Sequence, residues 1–220
     1  MIKKNILHHP SSIIRSLQSN RTIGLLGGSF NPAHGGHLHI TLHALKSLKL
    51  DEVWWLVSPH NPLKSPSSLA AYEERLQSAR NIAAHHKRIR VLDIEARLGA
   101  RYSYQTIALL KRRFPSTNFV WLMGADNLAQ FHRWRRWQHI LSTIPIVVFD
   151  RAPYSHTSLR SKTYLRAHKF LLKANNINRF DHAPCFVFVH LRRDPLSSTT
   201  IRKTLGKGAF LRHNENAGCC

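Results

Sequence analysis

Short apolar runs alternate along the chain with stretches whose apolar residues recur every three or four positions. The runs are TIGLL (22–26), VWWLV (53–57), a stretch over 89–94, FVWLM (119–123), IPIVVF (144–149) and CFVFVH (185–190). Each is short and rich in Val, Ile, Leu and aromatics, which predicts a strand. Between them, Leu38, Leu42, Leu45 and Leu48 mark a helix face. Further helices are expected over 69–84, 104–113 (ended by Pro115), 134–141 and 159–172. SSTTIRKTL, from Ser197, opens with helix-capping residues. The segment SPHNPLKSPSS carries three prolines and is expected to be loop.

The strands lack clean polar alternation, the mark of strands covered on both faces and so of a mostly parallel sheet. Alternating β and α units predict a doubly wound α/β domain of Rossmann-like architecture over 21–205. Residues 1–20 read as an extension and 206–220 as a tail. In such sheets ligands bind beyond the carboxyl ends of the strands. The stretch GGSFNPAHGGH, the proline loop, GADN and SSTTIR all follow strands, so four polar segments are expected to meet at one crevice.

Charge narrows the partners. Thirty-three Lys and Arg stand against eleven Asp and Glu, a formal +22, with sixteen histidines besides. That balance favours anionic ligands such as nucleotides or nucleic acid. Three cysteines without CxxC spacing give neither a disulfide framework nor a zinc ribbon, and a reducing cytoplasm fits. A prenylation box needs Cys at position 217, which is Ala217. No apolar run approaches the roughly 20 residues that span a bilayer, so no membrane partner is expected.

The glycine-histidine stretch is the densest chemistry. Gly27 and Gly28 end the first strand, where glycine permits positive φ and close ligand approach. A helix is expected to start near Gly35, with His34 and His37 at its first turn. A helix N-terminus offers unpaired N–H groups and a partial positive charge, hence an anion site. Histidines three apart add donors, and a nearby phosphate favours their charged form. Zinc lacks an HExxH or a completing carboxylate, so no protein-held metal is expected. Neither GxGxxG nor GxxxxGK[ST] is present.

GGSFNPAHGGH resembles the first signature of the HxGH nucleotidyltransferases, and SSTTIR (197–202) resembles their second. NPLK (61–64), YSYQTI (102–107) and FVWLMGADNLAQFHRW (119–134) are similar to the nicotinate-nucleotide adenylyltransferases in particular, over about residues 22–205. The resemblance implies transfer of AMP from ATP to nicotinate mononucleotide, giving deamido-NAD and pyrophosphate, with Mg²⁺ held mainly by the ATP phosphates. It implies that Gly28, Ser29 and Phe30 offer backbone N–H groups to phosphates, and that His34 and His37 bind the ATP phosphates. Ser198, Thr199 and Arg202 would hold the remaining phosphate oxygens. Gly124 and Asp126 would lie against the nucleotide, Asp126 accepting from ribose hydroxyls. Trp134 would stack on the pyridine ring, Tyr102 and Ser103 would close the nicotinate end through a backbone N–H, and Lys64 would add charge. Catalysis would rest on His34, His37 and Arg202.

Several features depart from the family pattern. Asn31 stands where many relatives have Asp, Ser103 replaces a frequent Thr, and the proline loop is short. Two other readings stay open: a preference for nicotinamide mononucleotide, and a nucleic-acid partner for the basic-aromatic FHRWRRW (131–137). The sequence leaves the oligomeric state open.

Overall fold

A computed structural model of the chain describes residues 21–63, 65, 68–150, 159–172, 180 and 182–191. Its centre is a seven-stranded sheet: β1 (Thr22–Gly28), β2 (Glu52–Val57), β3 (Ile89–Leu92), β4 (Asn118–Gly124), β5 (Ile146–Asp150), β6 (Leu171–Leu172) and β7 (Phe186–His190). The order across the sheet is β3-β2-β1-β4-β5-β7-β6, and every pairing is parallel. The order reverses between β1 and β4, which opens a crevice at their carboxyl ends.

Both faces are covered, as the continuous apolar runs require. On one face Leu26, Trp55, Val57, Leu122 and Phe149 pack under α1 (Gly35–Ser47) and α2 (Tyr72–Ala83). On the other, Leu25, Trp54, Leu56, Trp121 and Val148 pack under α4 (Ser103–Arg113), α5 (Ala125–Gln130) and α6 (Trp137–Thr143). Adjacent strand residues alternate between the two clusters, the period of two expected of a pleat. Trp54, Trp55 and Trp121 are at most 1% exposed. Side chains of that size dominate core energetics, each costing about 3–5 kcal/mol to truncate to alanine.

The structure redraws several helices. On α1 the buried residues are Gly36, Ile40, Thr41, Ala44 and Leu45, while Leu42 is 41% exposed. The reason is polar: the Trp55 indole N–H donates to Thr41 Oγ1 (2.8 Å), so a threonine takes a core position on that face. The helix expected from residue 69 starts at Tyr72, because Asn31 engages the backbone of Ser68 and Ala70. The stretch after β3 turns into a short helix, α3 (Ile94–Leu98), closed by Gly99 at φ 62°. The segment expected as one helix over 134–141 is broken: a 3-10 turn covers Phe131–Arg133, Trp134 is extended, and α6 starts only after Arg136 at φ 53°. The helix expected over 159–172 is also split, into α7 (Lys162–Ala167), a 3-10 turn and β6.

Candidate active site

β1 delivers the glycine-histidine stretch to the crevice. Gly27 and Gly28 do not adopt positive φ; that conformation falls on Phe30, at φ 45°. The glycines have steric reasons instead. A Cβ on Gly27 would lie 2.8 Å from two carbons of the Trp121 ring, and one on Gly28 would lie 3.3 Å from the Phe30 ring. Phe30 folds back, 2% exposed, stacked on Trp55 at 5.1 Å and beside the His37 ring at 4.7 Å.

The helix α1 begins at Gly35 with His34 as its N-cap, as the sequence predicts. His34 Nδ1 accepts from the Gly36 N–H (3.1 Å), and His37 Nδ1 accepts from the His34 N–H (3.2 Å). This is a reciprocal capping box built from two imidazoles instead of the usual Ser/Thr and Glu/Gln. An Nδ1 that accepts carries no proton, so the neutral ring must carry it on Nε2. Both rings thus become Nε2–H donors without needing a charge. Their centroids are 4.0 Å apart, so the two donors share one locality. With each Nδ1 accepting a backbone N–H, Nε2–H is the donor that each ring would turn to an anion.

Arg75, in α2, escaped the sequence reading. It is 1% exposed. Its guanidinium donates to the carbonyls of Ser29 (2.6 Å), Ser58 (2.8 Å), Pro59 (3.1 Å) and Ala70 (3.1 Å). Burial draws its pKa below the ordinary arginine value, yet a guanidinium stays charged at neutral pH. Tyr72 lies against it at 5.4 Å, its own hydroxyl pushed up to about 12 chiefly by burial. Asn61 donates to Ser29 Oγ (3.3 Å), and Asn31 accepts from Ala70 N–H (3.0 Å) and donates to the Ser68 carbonyl (2.9 Å). The glycine loop and the proline loop are therefore joined at several points.

Beneath this junction Glu95 is 6% exposed and accepts from Thr106 Oγ1 (3.0 Å). Burial pushes its carboxyl up, only partly opposed by hydrogen bonds from Thr106 and Ser58.

Across the crevice β4 ends at buried Gly124, and Asp126 stands in the first turn of α5. Half-buried Trp134 meets the Trp121 ring edge-on at 6.0 Å and packs on Phe131 at 5.0 Å. One side of it is anchored in the core. Tyr102 precedes α4, and its N–H donates to Gln105 Oε1 (3.1 Å), while Ser103 opens the helix. The Arg135 guanidinium lies 5.9 Å from the Tyr102 ring and that of Arg136 lies 5.0 Å from Tyr104. Hence the Trp134 segment and the Tyr102–Ser103 turn do come together. Within FHRWRRW both tryptophans are half-buried and pack on Phe131.

Lys64, Ser198, Thr199 and Arg202 lie outside the described residues. Among the described residues no three His, Cys, Asp or Glu side chains converge as a metal site. No described helix is long and apolar enough to cross a membrane.

Comparison with known proteins agrees with this geometry. A cytidylyltransferase-like family model matches residues 25–204. A probable nicotinate-nucleotide adenylyltransferase of Cereibacter sphaeroides is 50% identical over 189 residues, covering 83% of this chain and 97% of the relative. One from Erythrobacter litoralis is 49% identical over 182 residues, covering 82% and 83%. Among solved structures, the nicotinic acid mononucleotide adenylyltransferase of Plasmodium falciparum complexed with APC superposes with a TM-score of 0.64 over 85% of both chains at 16% identity, a likeness of fold. With about half of the aligned residues identical to such relatives over more than four fifths of each chain, the chain belongs to the cytidylyltransferase-like family and, within it, to the nicotinate-nucleotide adenylyltransferases.

Proposed function

We propose that this protein transfers the adenylyl group of ATP to nicotinate mononucleotide, forming deamido-NAD and pyrophosphate in NAD biosynthesis, within a domain spanning about residues 21–205 in the cytoplasm. The observation that carries the reading is the imidazole capping box: two Nε2–H donors fixed at the head of α1, beside a glycine loop.

The 5′-phosphate of the mononucleotide is largely ionised at neutral pH, its second pKa being about 6. It attacks the α-phosphorus of ATP. A new P–O bond forms there while the bond to the bridging oxygen breaks, and that electron pair leaves with pyrophosphate. No general base is needed. The protein's task is alignment and neutralisation of charge moving onto the leaving group. His34 and His37 donate to the ATP phosphates through Nε2–H, and the Gly28–Phe30 turn adds backbone N–H groups. Arg202, Ser198 and Thr199 supply the second half of the phosphate grip, and Lys64 adds charge from the proline loop. Asp126 takes the ribose hydroxyls beside Gly124. Trp134 offers its half-exposed face to the pyridine ring, and the Ser103 N–H meets the carboxylate at the end closed by Tyr102. Among the described residues the donor set is imidazole and backbone N–H rather than clustered carboxylates, which fits Mg²⁺ that arrives on phosphate oxygens. Such a cation screens the phosphate charge.

The test is pyrophosphate release with ATP and Mg²⁺, run in parallel with nicotinate mononucleotide and nicotinamide mononucleotide. Turnover that favours the acid is expected. Equal or faster turnover with the amide would change the substrate, and release with neither from folded protein would overturn the reading.

A further inference from the structure

Arg75 is an unusual way to brace a fold. Among the described residues no carboxylate pairs with it; its partners are four backbone carbonyls. Burying a charge is costly, and for stability alone an apolar side chain of similar volume often serves as well or better. What a guanidinium offers beyond bulk is direction: a rigid fork that fixes where each carbonyl points. Its shortest bond, 2.6 Å, goes to the Ser29 carbonyl, inside the phosphate turn.

That carbonyl shares a planar peptide with the Phe30 N–H, and in a trans peptide the two point in opposite directions. Drawing the Ser29 carbonyl toward α2 therefore aims the Phe30 N–H the other way. It also secures Phe30 in a left-handed conformation that phenylalanine adopts only under constraint. The same guanidinium holds Ser58 and Pro59, which begin the proline loop, and Ala70, just past its end.

We propose that Arg75 is a positioning residue for phosphate transfer: its fork locks the Ser29–Phe30 peptide so that the Phe30 N–H faces the phosphates, and ties the proline loop to that turn. It touches no substrate itself. The inference rests on the adenylyl-transfer reading for its rate effects, but not for its effect on anion binding. Donors set before the reaction stabilise the transition state more than the ground state, so kcat should suffer more than KM.

The experiment compares wild type with Arg75→Met, Arg75→Lys and Arg75→Gln in thermal unfolding, in steady-state kinetics with both substrates, and in calorimetric binding of pyrophosphate with Mg²⁺. Arg75→Met removes every directional bond at similar volume. Its kcat is expected to fall about 10–100-fold, less than or equal to the loss of a whole oxyanion donor, with KM for nicotinate mononucleotide changing about threefold at most. Lys and Gln, each keeping one donor centre in the cage, should fall between. Pyrophosphate binding should weaken in the same order. A folded Arg75→Met with kcat and pyrophosphate affinity near wild type would overturn the proposal. So would failure of all three variants to fold, which would make the guanidinium a requirement of folding and not a setting of the turn. If wild type binds pyrophosphate but turns over neither mononucleotide, the adenylyl-transfer reading fails while the binding series still decides the role of Arg75.

Discussion

Replacing His37 by glutamate should separate its two jobs. His37 closes the capping box through Nδ1 and, in the proposed mechanism, donates to phosphate through Nε2. A glutamate three residues after the N-cap is the standard acceptor for that box, so His37→Glu can still take the His34 N–H. It also puts a negative charge in the first turn, which is favourable by about 0.3–1 kcal/mol. Against that stands the lost ring contact with Phe30, centroids 4.7 Å apart, a pair worth about 0.5–1.5 kcal/mol. The two nearly cancel, and at this chain length the melting temperature should move by no more than about 4 °C. His37→Ala loses the ring contact and the box, the latter worth about 1 kcal/mol. It should melt roughly 3–10 °C lower. Activity should rank the other way. Alanine removes one donor, a loss of about 10²–10³ in kcat. Glutamate removes the donor and sets an anion against the phosphates, so it should be the slower of the two despite its greater stability. Pyrophosphate release and differential scanning fluorimetry on the same preparations give both rankings. A glutamate variant as active as alanine or better would refute the assignment of His37 to phosphate. A glutamate variant that melts below alanine would refute the capping box.

Three further substitutions probe the frame beneath the site. Gly27→Ala places a methyl group against a Trp121 ring that is 0% exposed and cannot yield, so it should cost about 1–3 kcal/mol in urea unfolding. Gly28→Ala, at 3.3 Å from the Phe30 ring, should cost less in stability, and equal costs would show that the ring does not set the need for glycine at position 27. Burial raises the Glu95 carboxyl, so the folded protein holds that proton more tightly than the unfolded chain. Stability is therefore lost as pH rises from the ordinary glutamate range through the raised value. Glu95→Gln, which can still accept from Thr106, removes this loss. Its stability relative to wild type should rise across that window and stay level beyond it, and a difference independent of pH would refute the buried charge as its cause.

The sheet was legible because its signal is redundant. VWWLV and FVWLM are apolar at consecutive positions, as strands covered on both faces require. The head of α1 was legible for a similar reason: glycines, a proline and spaced histidines each point to a turn followed by a helix. Periodicity failed where a polar atom outranked it. Leu42 fits the leucine spacing, yet the Trp55 indole needs an acceptor and Thr41 supplies it, so the helix turns that way. It failed again at Trp134, where the ring's fit against Trp121 and Phe131 and the left-handed Arg136 break the helix that the apolar spacing suggests.

The site divides along the same line. Residues that would touch a ligand sit in short motifs, since a phosphate-binding turn constrains neighbours in sequence. Arg75 belongs to no such motif. Its bonds reach backward across 5, 16, 17 and 46 residues and end on carbonyls, groups that every residue carries. Nothing in the side chains at positions 29, 58, 59 and 70 announces that a cation will stand among them. In sequence it is one arginine of a strongly basic chain, in a polar helix beside Glu73 and Glu74, where an exposed side chain is the ordinary expectation. Only the burial of its side chain, and the direction that the Ser29 carbonyl must then take, distinguish it. A charge placed to orient backbone becomes visible in coordinates long before it becomes visible in sequence, and positioning residues of this kind should be sought among buried cations that lack a carboxylate.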